Sequence, residues 1–164
     1  MNLQDLLIEE LQDLYDAEHK LTKALPQLAK AATGDALRAA FESHLEETRT
    51  HITRLDEVFA ALGKRAGGKH CPGMAGIIDE GSRIIKHKGM EGAVRDAGMI
   101  AGAQKAEHYE MCGYGTCAAW ARTLGLNDIA TQLEATLDEE KAADQTLNDL
   151  AEQEVNISAT HEGA

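Results

Sequence analysis

Apolar residues recur at alternating steps of three and four along most of the chain, a spacing that restricts it to long amphipathic helices. The first stripe is Leu3, Leu7, Leu11, Leu14, Leu21, Leu25 and Leu28. It predicts a helix over about residues 3–32, stopped by Thr33-Gly34-Asp35, with Asp35 as N-cap of the next helix. Pro26 should kink the first helix late in its course. The second helix, about 36–62, carries Leu37, Phe41, Leu45, Ile52, Leu55, Phe59 and Leu62 and ends at Gly63. The tight turn between them makes an antiparallel hairpin. A third helix over about 90–124 ends at Gly125, and a fourth over about 127–155 carries Ile129, Leu133, Leu137, Leu147 and Leu150. Between the hairpins, Gly67, Gly68, Pro72, Gly73 and Gly76 break any long helix, while Ile77, Ile78, Ile84 and Ile85 predict one short amphipathic helix. Two hairpins joined by so long a crossover describe an all-α, antiparallel four-helix bundle of the ferritin-like kind. The 164 residues fit one domain. We assign the bundle to 1–155 and a flexible C-terminal tail to 156–164.

Acids interrupt the stripes. Glu18 falls in line after Leu11 and Leu14. Glu107 follows Ile100 and Ala103, with Glu110 one turn on. Glu140 sits one heptad from Leu133 and Leu147, with Asp144 a turn below. In the second helix, His44, Thr48 and His51 share the inner face, with Glu47 beside them. The helix midpoints fall near residues 18, 49, 107 and 141, so Glu18, Glu47, Glu107 and Glu140 converge on one level of the core. Ionised carboxylates buried together cost several kcal/mol each unless something cationic lies between them. Two divalent ions offset four negative charges, and oxygen ligands with one or two imidazoles suit iron first and manganese second. A faint repeat supports this reading: Ala17-Glu18-His19 matches Ala106-Glu107-His108, and the pairs Glu47/His51 and Glu140/Asp144 share a spacing of four. Each half would then supply one terminal carboxylate (Glu18, Glu107) and one bridging carboxylate (Glu47, Glu140). His44, His51, Glu110 and Asp144 complete the donor set. His19 and His108 point about 100° away from their glutamate neighbours, toward packing or the surface.

The runs His44-Leu45-Glu46-Glu47-Thr48, Glu107-His108-Tyr109-Glu110 with Gly113-Tyr114-Gly115-Thr116, and Thr136 to Asp144 resemble the YciE/YciF family of ferritin-like bacterial proteins. The likeness extends to Asp13-Leu14-Tyr15-Asp16-Ala17-Glu18 and Arg95-Asp96-Ala97, nearly the whole chain. It implies a ferritin-like bundle, often dimeric, linked to stress responses, with a di-metal site and no assigned reaction. The usual ferritin-like signature is Glu-x-x-His on two helices. Here Thr50 follows three residues after Glu47 and Ala143 three after Glu140, so imidazole ligation falls to His44 or His51, or is partly replaced by Asp144.

Charge narrows the partners. With 16 Lys+Arg against 28 Asp+Glu the net charge is −12, which repels nucleic acid and anionic membranes. No apolar run is long enough to span a bilayer, and the N-terminus lacks the basic start of a signal peptide, so a cytoplasmic protein is expected. The basic residues of the crossover, Lys64, Arg65, Lys69, Arg83, Lys86 and Lys88, offset the acidic body or line a homodimer contact. Cys71, next to His70, is the expected exposed thiol, and Cys112 and Cys117 cannot pair on one helix. Tyr15, Tyr109 and Tyr114 anchor hydrogen bonds or lie near the metals, and Trp120 serves packing or a dimer contact. Two functions remain: redox chemistry toward Fe(II), hydrogen peroxide or dioxygen, as in a ferroxidase or a peroxidase, or a non-catalytic, metal-stabilised stress or scaffold protein. No catalytic residue is assigned.

Overall fold

The computed structural model describes residues 1–161. The helices are α1 (Leu3–Ala31), α2 (Asp35–Ala61), α3 (Pro72–Lys86), α4 (Gly92–Thr123), α5 (Asn127–Leu150) and α6 (Asn156–Ala159), with a π-helical turn at Ala151–Val155. Local chemistry sets the ends. Asn2 caps α1: its side-chain oxygen accepts from the Asp5 amide while the Asp5 carboxylate accepts from the Asn2 amide, each at 2.9 Å. Past α2 and α4 the chain turns through Gly63 (φ 63°) and Gly125 (φ 77°), a left-handed conformation that glycine adopts without strain. The amides of Lys64 and Leu126 then donate back to the carbonyls of Phe59 and Ala121, closing both helices by the same motif.

The start of α2 differs from expectation. Gly34, not Asp35, occupies the cap position, and no side chain of its own helix caps it. Asp35 lies inside the first turn and holds Arg38 at 2.6 Å. The free amides of the turn are satisfied from the other hairpin: buried Asp96 near the start of α4 accepts from Thr33 at 3.0 Å and from Gly34 at 2.9 Å. That clamp fixes the C-terminal end of α1 beside the start of α4, so these two helices run antiparallel.

α1 packs on α2 and α4, α5 packs on the same two, and α3 lies along α1 and α4. The four long helices thus form a ring in the order α1, α2, α5, α4. All-α architecture with a helical crossover is the observed fold. The core divides into two apolar clusters. One gathers Leu21, Leu25, Leu37, Phe41, Ile100 and Leu147 and receives the crossover through Cys71 and Met74. The other gathers Leu7, Leu11, Leu55, Phe59, Ala121 and Leu133. α4 approaches α1 closely because Gly113 lacks a side chain: a Cβ there would lie 2.7 Å from Leu14 Cδ2.

Two further expectations change. Cys71 is buried, not exposed; it caps α3, its sulfur accepting from the Met74 amide at 3.3 Å and lying 3.1 Å from the Tyr109 hydroxyl. Cys112 is the exposed thiol. The tail assigned from residue 156 is helical through Ala159, re-phased by the π-helical turn so that Val155 is buried; residues 162–164 lie outside the described residues. α1 continues past Pro26 to Ala31, close to the 3–32 span expected for it. No described helix is long and apolar enough to cross a membrane.

Candidate metal centre

Between the two apolar clusters lies a charged layer. Glu18, Glu110, Glu140 and His51 are fully buried, Glu107 is 2% and His44 6% exposed. Two donor groups assemble there: His44 with Glu107, Glu110 and Glu140, and Glu18 with His51 and Glu140. In each, the ligand atoms lie within 4.8 Å of one another, and Glu140 belongs to both.

The donors approach within ion-pair distance. His51 Nδ1 is 3.2 Å from Glu18 Oε1 and 3.1 Å from Glu140 Oε1, and His44 Nε2 is 3.1 Å from Glu107 Oε1 and 3.7 Å from Glu140 Oε2. Neither nitrogen reaches hydrogen-bond geometry with its neighbours. Glu18 Oε2, Glu107 Oε2 and both oxygens of Glu110 and Glu140 are likewise buried without a partner. Native cores almost never orphan so many polar atoms in one place. Gathered within 4.8 Å of one another, such donors could hold a cation. The fit extends to chemistry: the two groups together hold four carboxylates and two imidazoles, hard donors suited to iron or manganese and the inventory used by di-iron carboxylate bundles.

Electrostatics report the same crowding. Burial pushes the Glu140 carboxyl up to about 7, with the Glu107 carboxylate adding to the effect and nearby His51 and His44 opposing it. Burial raises Glu110 well above the carboxylate range, and the charges of Glu140, Glu18 and Glu107 raise it further. Glu18 is also raised by burial, although His51 pulls the other way. For His51, burial would favour the neutral ring, but Glu140 and Glu18 outweigh it and hold the imidazole at about 10. His44 is raised above its ordinary value by Glu107 and Glu47 against the same desolvation.

An outer tier orients the His51 side. His51 Nε2 meets Glu139 Oε2 at 2.9 Å, and Arg54 grips Glu139 through both guanidinium nitrogens at 2.8 and 3.2 Å while donating to Thr136 at 2.5 Å. The Tyr114 hydroxyl donates to Glu18 Oε1 at 2.5 Å. Such partners fix ring orientation and ligand basicity in metal sites. The His44 side instead faces a cleft of about 110 Å³ between α2 and α5, lined by Ser43, His44, Glu47, Glu107, Ala143 and Thr146 among others.

Of the sequence-predicted donors, Glu18, His44, His51, Glu107, Glu110 and Glu140 come together, and Glu47 and Asp144 do not. The side chain of Glu47, expected as a bridge, is 44% exposed and reaches only His44 Nδ1, at 3.4 Å. The reason is phase: with His44, Thr48 and His51 facing inward, residue 47 points about 100° away. Asp144 faces Gln104 (3.2 Å) and His108 (3.2 Å) on the flank of α4. α2 therefore brings imidazoles only, and α4 brings two carboxylates. Sequence reading missed Arg54, Glu139 and Thr136; the hint was their spacing of three from His51 and from one another on facing helices. Buried Thr48, between the two histidines with its hydroxyl unpartnered, was placed on the inner face but given no role. His108 is exposed, as expected of a residue beside a ligand glutamate.

Residues 2–160 match the family described as Domain of unknown function (DUF892). The chain is 43% identical to Protein YciF of Escherichia coli (strain K12) over 158 residues, 96% of this chain and 95% of YciF. This chain belongs to the DUF892 family. The crystal structure of the E. coli stress protein YciF superposes with a TM-score of 0.90, covering 94% of this chain and 98% of that one. YcfI of Rhodopseudomonas palustris, described as a proposed structural protein, is 44% identical with a TM-score of 0.86 over 90% of this chain and 94% of its own. A Xanthomonas campestris protein at 18% identity (TM-score 0.78, 99% of this chain and 100% of that one) shares the fold. The resemblance to the YciE/YciF family, first read from motifs, is thus a family membership, and DUF892 architecture is what the helical bundle displays.

Proposed function

We propose that this DUF892 member is a stress-associated protein that holds two divalent metal ions, iron or manganese, in the charged layer and uses them in redox chemistry. The observation that carries the reading is the sharing of Glu140 by two buried donor groups, in each of which several polar atoms lack a hydrogen-bond partner. Two iron or manganese ions held there would exchange electrons with Fe(II), hydrogen peroxide or dioxygen. The chain's own contribution is positional. Glu140 would span both ions; Glu18 and His51 would hold one, and His44, Glu107 and Glu110 the other. Arg54 and Glu139 hold the His51 ring so that Nδ1 faces inward, and Tyr114 keeps a proton on its hydroxyl beside Glu18, where burial and the neighbouring carboxylates raise it well above its ordinary value. The apolar clusters above and below close the layer to bulk water along the bundle axis.

A second reading, a metal-stabilised protein without turnover, is favoured by the description of the Rhodopseudomonas relative. Reconstitution with Fe(II) or Mn(II), metal counting, and assays of Fe(II) oxidation and peroxide consumption separate the two. Two bound ions with turnover support the first, two bound ions without turnover support the second, and failure to bind metal removes both. Homodimerisation, implied by the family resemblance, is part of the same proposal and is read by light scattering.

A further inference from the structure

Two clefts reach Glu107 from different faces of the bundle. One opens between α1, α3 and α4 and is walled by Leu21, Leu25, Ile77, Ile78 and Met99, with Glu107 the one ionisable group lining it. A hydrated cation gains nothing from such a wall. The other is the α2–α5 cleft. Ala40, Ala142 and Ala143 leave space there that larger side chains would fill, and Ser43, Glu47, His44, Thr146 and Glu107 supply polar atoms from mouth to floor. Its volume of about 110 Å³ is well above the ~10–15 Å³ that one water needs.

The polar groups form a graded sequence. Glu47 stands at the mouth, half in solvent, its Oε2 3.4 Å from His44 Nδ1. The opposite nitrogen of the same ring, 3.1 Å from Glu107 Oε1, is buried and unpartnered, as is Glu107 Oε2. We propose that the α2–α5 cleft is the route by which divalent cations reach the site, and that Glu47 is its outer docking carboxylate rather than a ligand of the filled centre. This rests on the metal-binding reading above. A half-exposed carboxylate binds a hydrated ion weakly and releases it readily, which suits a way-station. A negative group at the mouth of a low-dielectric cleft raises the local cation concentration and the association rate. Past Glu47 the ion exchanges waters for His44 and Glu107.

The test is stopped-flow uptake of Co(II) by the metal-free full-length chain, followed by its ligand-field absorption, with equilibrium titration of the same samples and a circular dichroism melt of each variant. Glu47→Gln should slow association about tenfold, and more weakly at high salt, while stoichiometry and equilibrium affinity stay at the wild-type values. Ala143→Leu, which fills the polar cleft, should also slow uptake; Ala24→Leu, which fills the apolar one, should not. Wild-type uptake by Glu47→Gln overturns the route while leaving the site reading intact. Loss of stoichiometry in Glu47→Gln makes it a ligand, and slowing by Ala24→Leu alone moves the route to the other cleft; either result overturns the proposal. If wild-type protein takes up no Co(II), the route and the site reading fall together.

Discussion

The two halves of the charged layer use the same donor types, one imidazole each with carboxylates that include shared Glu140, but are finished differently. Around His51 every approach is closed: the imidazole and both flanking carboxylates are fully buried, Tyr114 and Glu139 supply hydrogen bonds, and Arg54 anchors Glu139. Around His44 there is no comparable outer tier. The ring faces a cleft, and its only hydrogen-bond partner among the described residues is half-exposed Glu47. A sealed, braced half fixes geometry; the open half, on the proposed reading, would admit the ions. The lesson is that burial and orientation, more than ligand identity, distinguish the two positions.

Glu140→Ala should have the largest effect, because it takes one ligand from both halves. Metal content after reconstitution should fall from about two ions per chain to near zero, read by elemental analysis of gel-filtered protein. His51→Ala comes next. It leaves Glu18 and Glu139 facing a void in a sealed half, so urea denaturation of the metal-free protein should show a loss of about 3 kcal/mol. His44→Ala, beside a cleft that water can enter, should cost about half as much by the same measurement. Equal losses would erase the contrast between the halves. Tyr114→Phe removes one hydrogen bond to a buried carboxylate and should cost about 1–2 kcal/mol while leaving the ion count unchanged.

The smallest effect is a slope. In the folded metal-free protein His51 is held at about 10 against an ordinary 6.5, and Glu140 at about 7 against 4.5. Both values are raised, so the folded state keeps protons that the unfolded chain releases. The His51 contribution is complete below pH 6.5 and is lost as pH rises through about 10; the Glu140 contribution is complete below 4.5 and is lost as pH rises through about 7. Metal-free stability should therefore decline as pH rises across this window. Because ligands must shed their protons to bind a cation, the stabilisation added by metal should grow over the same range. Thermal melts with and without Mn(II) at stepped pH check both signs.

How much of this was legible in the sequence follows from what each feature depends on. The helices, the hairpins and the crossover were readable because the spacing of Leu, Ile and Phe and the punctuating glycines are local. Glu18, Glu107 and Glu140 were readable because each interrupts a stripe at mid-helix. Glu47 was chosen as a bridge by matching heights, whereas helical phase, a matter of about 100°, turns it away from the gathered donors. The Asp96 clamp on the Thr33–Gly34 turn and the burial of Cys71 under Tyr109 join segments far apart in the chain, and no local pattern encodes them. The contrast between sealed and open halves depends on which small residues line the α2–α5 groove, which again only packing reveals.

The most direct test is a crystal of the reconstituted protein, with anomalous difference maps recorded at the iron and manganese edges. Two peaks about 3.5–4 Å apart, one against Glu18 and His51, one against His44, Glu107 and Glu110, and both against Glu140, are the expected result. Anomalous density confined to the surface, or a charged layer that stays metal-free after reconstitution, would contradict it.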